Sequence, residues 1–133
     1  MHFKLKVKKT HVEWRDVFRF TARGTSSSKR MGNRMPAVYV FPNELSILIK
    51  SFVNTTSNAD LATFAISANK YVDVLIQQVL IDGFYYIEVY LNGTLLQRNS
   101  NANLQTFEAA LIFDGVASGE NEMFMKEFDY GAN

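Results

Sequence analysis

The chain of 133 residues is long enough for one domain with a substantial hydrophobic core, and its 47% apolar and 14% aromatic residues exclude a disordered segment. Cysteine is absent, which excludes disulfides, thiolate metal sites and cysteine nucleophiles. No apolar run approaches the ~18 residues that a transmembrane helix needs, so no membrane insertion is expected. The first residues alternate apolar and basic side chains, which predicts a strand and not a signal peptide.

Strand signals recur at short spacing along the whole chain. Phe3, Leu5 and Val7 alternate with lysines, as in a half-buried strand whose lysines discourage edge pairing. Polar loops are predicted at 24–34, 54–60 and 97–105. The other predicted strands, in chain order, cover residues 14–23, 36–41, 45–53, 61–66, 71–80, the two arms of a hairpin over 84–98, and then 107–113 and 123–130.

The hairpin over residues 84–98 is the sharpest local signal. Asn92 and Gly93 are the pair that a two-residue type I′ turn favours, because both central residues need a positive φ. Alternation assigns Tyr85, Ile87, Val89 and Leu91 to one face of the first arm and Phe84, Tyr86, Glu88 and Tyr90 to the other. Aromatic residues on both faces indicate either that both faces are covered or that one is a binding surface.

About ten strands, with turn signals every ~8–12 residues, predict a single all-β domain over residues 1–133. The predicted fold is an antiparallel β-sandwich, nearly free of helix. Its predicted core is Phe3, Leu5, Val7, Phe20, Ile47, Ile49, Val74, Ile76, Ile87, Val89, Leu111 and Phe113.

The charge of the chain is unevenly distributed: residues 1–34 carry a net charge of +8 and residues 35–133 a net charge of −7. This asymmetry allows a basic patch for nucleic acid or an anionic glycan. We favour the alternative in which the basic first strand pairs with the acidic last one, because facing opposite charges largely cancel the local field. No nucleic-acid partner is therefore predicted. The acidic residues in question are Glu120, Glu122, Glu127 and Asp129.

Seven segments carry a resemblance to a known superfamily by their order and spacing. They are residues 3–7, 13–21, 32–40, 69–77, 84–96, 107–114 and 125–130, which together span nearly the whole chain. In this order they resemble the concanavalin A-like jelly-roll superfamily, particularly its laminin-G-like and pentraxin-like extracellular modules. Tyr71 stands where such modules often have Trp, and the cysteines common in secreted members are missing. The resemblance implies a jelly roll, an extracellular location and a role in recognition or cell adhesion.

Catalysis is not predicted. Some members of this superfamily are glycosidases with a Glu-x-Asp-x-x-Glu arrangement on one strand face. Glu127 and Asp129 begin that pattern, but the chain supplies no second Glu after them, and glycoside hydrolysis needs two carboxylates across the scissile bond. His2 and His11 have no acid or nucleophile at a telling spacing.

Calcium is the one cofactor that the resemblance implies, since related modules often hold it at the rim of the sandwich. Asp114, Glu120 and Glu122 cluster around one loop, and oxygen ligands of this kind suit a hard cation. Acidic loops also occur on any soluble surface, and no fixed ligand spacing is met, so a chain without a cofactor remains the alternative.

The predicted function is non-enzymatic, lectin-like carbohydrate binding, with a glycan or glycoprotein as the partner. Sugars bind planar aromatic faces together with amide and charged hydrogen-bonding groups. One alternative is that the rings simply cover the core. Another is that the chain is a structural or adhesive interaction domain. The sequence also allows a homo-oligomer. The predicted ligand-binding residues are Tyr86, Tyr90, Arg98, Asn99 and Asn101.

Overall fold

A computed structural model of the chain describes residues 1–21, 36–53, 56–101, 110–112 and 123–129. These residues form ten strands and no helix. The strands are β1 (His2–Val7), β2 (Arg15–Thr21), β3 (Ala37–Val40), β4 (Ser46–Val53), β5 (Thr56–Ala65), β6 (Val72–Ile81), β7 (Phe84–Leu91), β8 (Thr94–Ser100), β9 (Ala110–Ile112) and β10 (Met123–Asp129).

The strands make two sheets of five. Sheet A has the order β10-β1-β6-β7-β8, and sheet B has the order β5-β4-β3-β2-β9. Every pair of neighbouring strands is antiparallel. The prediction of an all-β, antiparallel architecture is thus confirmed, and the two sheets are consistent with a β-sandwich.

The main core is built by alternate residues that both sheets contribute. In β1, the buried residues Phe3, Leu5 and Val7 alternate with partly exposed ones, as predicted. The predicted core residues Ile47, Ile49, Val74, Ile76, Ile87 and Val89 are buried in the same cluster. The side chains of Phe20 and Leu111, and all of Phe113, lie outside the described part of the chain.

The first and last strands pair as the charge distribution predicted. Lys4 Nζ lies 2.7 Å from Glu127 Oε2, and His2 stands opposite Asp129 in the register. The hydrogen bond between Lys4 and Glu127 raises the pKa of the lysine and lowers that of the carboxylate. Both groups are solvated, so this pair contributes little to stability and serves mainly to neutralise charge.

Two strands extend into segments that the sequence predicts as loops. β5 begins at Thr56, within a segment predicted as a polar loop, and β8 continues to Ser100 through residues predicted as an Asn-rich loop. Both β5 and β8 have one hydrogen-bonded neighbour among the described residues. A strand at the end of a sheet is held by backbone pairing to one neighbour, and its side chains need little burial. A polar sequence can therefore form such a strand although its composition predicts a loop.

The β7–β8 turn offers a direct test of backbone conformation. Asn92 and Gly93 have φ values of 49° and 84°, and an added Cβ at Gly93 would meet no atom within 4 Å. Gly93→Ala should therefore lower the free energy of unfolding by about 1–2 kcal/mol through backbone strain alone. Chemical denaturation measures this, with the exposed Thr94→Ala as the control. A Gly93→Ala variant as stable as the wild type would contradict the turn geometry.

Candidate functional site

The candidate site lies on the side of sheet A that faces away from the core. Ile87 and Val89 point into the core, so the intervening side chains of β7 point outward. Register then places Gln77, Glu88 and Arg98 in one row across β6, β7 and β8. We call this row, together with Tyr86 and Tyr90, the tyrosine face.

Glu88 is the centre of the tyrosine face, and it is only 2% exposed although it lies on the outward side. Its Oε2 accepts a hydrogen bond from Arg98 Nε at 2.7 Å. Its Oε1 accepts one from Gln77 Nε2 at 3.0 Å and a longer one from the Tyr90 hydroxyl at 3.3 Å. Three donors from three strands therefore converge on one buried carboxylate.

The hydrogen bonds keep this carboxylate ionised. Burial alone would raise the pKa of Glu88, but the hydrogen bonds from Gln77, Arg98 and Tyr90 outweigh it and hold the pKa below its usual value. The hydrogen bond to Glu88 raises the pKa of Arg98 in turn. Both groups are charged at neutral pH, so each orients the other.

Arg98 is held from one side and open on the other. Its side chain is 44% exposed, and its guanidinium carbon lies 5.9 Å from the centre of the Tyr86 ring. A guanidinium has five N–H donors in a fixed plane, more than Glu88 can accept. The tyrosine face can therefore offer oriented donors beside two aromatic rings to a ligand from solvent.

Of the predicted ligand-binding residues, Tyr86, Tyr90 and Arg98 come together and the two asparagines do not join them. Asn99 donates a hydrogen bond from Nδ2 to the Leu61 carbonyl of sheet B at 3.2 Å. Asn101 is 1% exposed, and its backbone N–H bonds to the Tyr85 carbonyl. Both residues therefore stabilise the β8 edge of sheet A.

The alternative in which Phe84, Tyr86 and Tyr90 cover the core is not the packing observed. Phe84 is 67% exposed, and Tyr86 and Tyr90 are half-buried on the outward side. Gln77 and the burial of Glu88 were missed by the sequence prediction. The alternation of Glu88 with Tyr86 and Tyr90 was the one sequence signal that could have indicated the burial of Glu88.

The residues proposed for calcium, Asp114, Glu120 and Glu122, lie outside the described part of the chain. Within the described ranges, no group of three or more His, Asp or Glu side chains is arranged to hold a metal ion. His2 is paired with a carboxylate, its Nε2 lying 2.8 Å from Asp73 Oδ1. Calcium therefore stays a prediction.

Comparison of the chain with protein families, with curated proteins and with solved structures finds no match. The resemblance to the concanavalin A-like superfamily thus stays a prediction, and function has to be argued from the site. The described residues contain no helix with the length and apolar character to cross a membrane.

Proposed function

We propose that this chain is a non-enzymatic carbohydrate-recognition module that binds a sugar on the tyrosine face. The observation that supports this most directly is the buried carboxylate of Glu88 on the outward side of sheet A. Burial of a charge is costly unless the charge is paired and hydrogen-bonded, and the groups that pair with Glu88 are Arg98 and Tyr90. Glu88 thereby fixes these two side chains before a ligand arrives, which lowers the entropy lost on binding.

The chemistry of the tyrosine face suits a sugar. The C–H face of a pyranose packs on an aromatic ring, and its hydroxyl groups accept hydrogen bonds from a guanidinium. Glu88 is the one carboxylate among the five residues of this face, whereas hydrolysis of a glycosidic bond uses two. Binding without turnover is therefore the function that this arrangement favours.

Removal of one ring tests the proposal. Tyr86→Ala should weaken glycan binding about fivefold, or about 1 kcal/mol, because it removes an aromatic contact. Tyr86→Phe keeps the ring and should keep the affinity. A glycan array identifies the ligand, and isothermal titration calorimetry compares the variants, with thermal melts to confirm folding. Glycan binding that survives Tyr86→Ala unchanged would rule out this site.

We also propose the finer assignments that the resemblance implies: a jelly-roll topology, an extracellular location and a glycan or glycoprotein partner. The second candidate function is an adhesive protein-interaction domain, and the exposed apolar residues at the β6–β7 hairpin favour it. Leu80 and Phe84 there are 60% and 67% exposed. A folded chain that binds no glycan would favour this second function.

A further inference from the structure

A second aromatic surface lies on the other side of the molecule, on the face of sheet B that points away from the core. Tyr39 and Leu48 stand opposite each other on β3 and β4 and are 8% and 5% exposed. They pack in a small cluster of their own, apart from the main core, with Phe41 against them. Trp14, which directly precedes β2, stands 4.7 Å from the Phe41 ring and 6.4 Å from the Tyr39 ring.

These residues line a cleft of about 540 Å³. Its volume falls in the range of about 300–1,000 Å³ that is typical of small-molecule sites. Tyr39 and Leu48 are nearly buried, whereas Trp14 keeps 49% of its surface exposed. A large ring left half open beside a concave apolar surface is an available stacking platform, which we call the Trp14 cleft.

Charged groups of both signs complete the lining of the Trp14 cleft. Asp16 stands opposite Tyr39 in the register, and Lys50 bonds to Asp60 across β4 and β5. The Lys50 side chain is 19% exposed, but the Asp60 side chain is 66% exposed. The cleft thus presents carboxylate acceptors and an ammonium donor around its rings, with no excess of positive charge to attract an anion.

We propose that the Trp14 cleft is a second carbohydrate site, for a neutral pyranose residue that stacks on Trp14. A sugar has an apolar C–H face for the ring and hydroxyl groups that both donate and accept, which matches the mixed lining. A ligand with a net positive or negative charge would meet a group of the same charge in the cleft. The hydroxyl groups of a neutral sugar can donate to Asp16 and Asp60 and accept from Lys50.

The two sites would make the chain bivalent. The tyrosine face belongs to the outward side of sheet A and the Trp14 cleft to the outward side of sheet B, with the main core between the sheets. A chain with two outward sites can bridge two glycan strands, and on a surface rich in sugars the second contact raises the apparent affinity.

The experiment uses the fact that Trp14 is the only tryptophan of the chain, so its fluorescence reports on this cleft alone. The full chain is titrated with cellotetraose, mannotetraose and chitotetraose as three neutral probes, up to about 10 mM, which detects Kd values near 1 mM. At least one probe should shift the emission to shorter wavelength in a saturable way, because stacking removes water from the indole.

Variants separate this site from the tyrosine face. Trp14→Ala should weaken binding at the cleft at least about tenfold, which removes this site from the calorimetric titration, and Asp16→Asn or Lys50→Met should weaken the fluorescence-detected binding several-fold. Tyr86→Ala should leave the fluorescence titration unchanged, so failure at one face is distinguishable from failure at the other. The proposal is overturned if no probe changes the emission, or if Trp14→Ala, folded by circular dichroism, binds as the wild type does.

Discussion

Phe3→Ala is expected to lower the free energy of unfolding by about 3–5 kcal/mol. Phe3 is fully buried on β1, which lies between β10 and β6 in sheet A. Its ring meets the Phe18 ring of sheet B edge to face at 5.0 Å and stacks against Phe128 at 6.2 Å. The substitution removes a contact between the two sheets and leaves a cavity that the surrounding strands cannot close, which is why the cost exceeds the transfer of the ring alone.

The matched control for Phe3→Ala is Phe84→Ala, the same chemical change at a residue that is 67% exposed. Phe84→Ala should change the free energy of unfolding by about 0.5 kcal/mol or less. Urea denaturation of both variants at one temperature makes the comparison, and an unchanged m-value shows that the transitions are alike. Equal losses in the two variants would mean that the core does not lie between the sheets.

Local patterns predicted the core of this fold because alternation along a strand is a local property. The spacing of Phe3, Leu5 and Val7 assigns a face without any knowledge of the partner strands. The same reasoning placed Glu88 on the face opposite Ile87 and Val89. Its burial depends on Gln77 and Arg98, which belong to neighbouring strands, so a single strand could not reveal it.

The pairing of Glu88 with Arg98 depends on a register that the turn alone does not predict. Asn92 and Gly93 join strands in which Leu91 stands opposite Thr94, and continued regular pairing would bring Gln97 opposite Glu88. An irregularity between Val89 and Tyr90 shifts the register by one residue, and Arg98 takes that place. A bulge of this kind has no clear sequence signature and decides which side chain reaches the carboxylate.

The Trp14 cleft was beyond sequence reasoning for a related reason. Its rings come from residues 14, 39 and 41 and its charged groups from residues 16, 50 and 60, which lie in or beside four strands. Only the order β5-β4-β3-β2 brings these segments side by side. None of these residues is unusual for a strand when it is considered alone. The concave surface exists only after the sheet has formed.

The second large effect is expected at the ion pair of the tyrosine face, where the two partners should behave unequally. Arg98 is open to solvent, but Glu88 is buried. Glu88→Gln removes the charge and should cost about 1–3 kcal/mol, because hydrogen bonds to a charged group are replaced by weaker ones. Arg98→Met should cost more, since it leaves an ionised carboxylate buried with only Gln77 and Tyr90 as donors.

Lys4→Met is the control for Arg98→Met, because Lys4 also forms an ion pair with a glutamate. Its partner Glu127 has 58% of its side chain exposed. Loss of Lys4 leaves that carboxylate solvated, so the free energy of unfolding should change little. If Lys4→Met and Arg98→Met destabilise the chain equally, burial of Glu88 is not what makes the second pair important.

The pH dependence of stability gives the sharpest form of this prediction. In the wild type the pKa of Glu88 is lowered, so its contribution to stability is complete above the unfolded pKa of about 4.3 and is lost as the pH falls through the lower folded pKa. Burial is the largest single influence on the pKa of Glu88, so Arg98→Met, which removes the hydrogen bond and the charge of the guanidinium, should raise that pKa. The difference in the free energy of unfolding between wild type and Arg98→Met should therefore narrow as the pH falls from about 7 to about 4, because protonation neutralises the unpaired carboxylate.

The double variant Glu88→Gln/Arg98→Met should recover much of the stability lost at neutral pH and show no such narrowing. A gap that stays constant with pH would show that Arg98 stabilises the fold by packing and not by its charge.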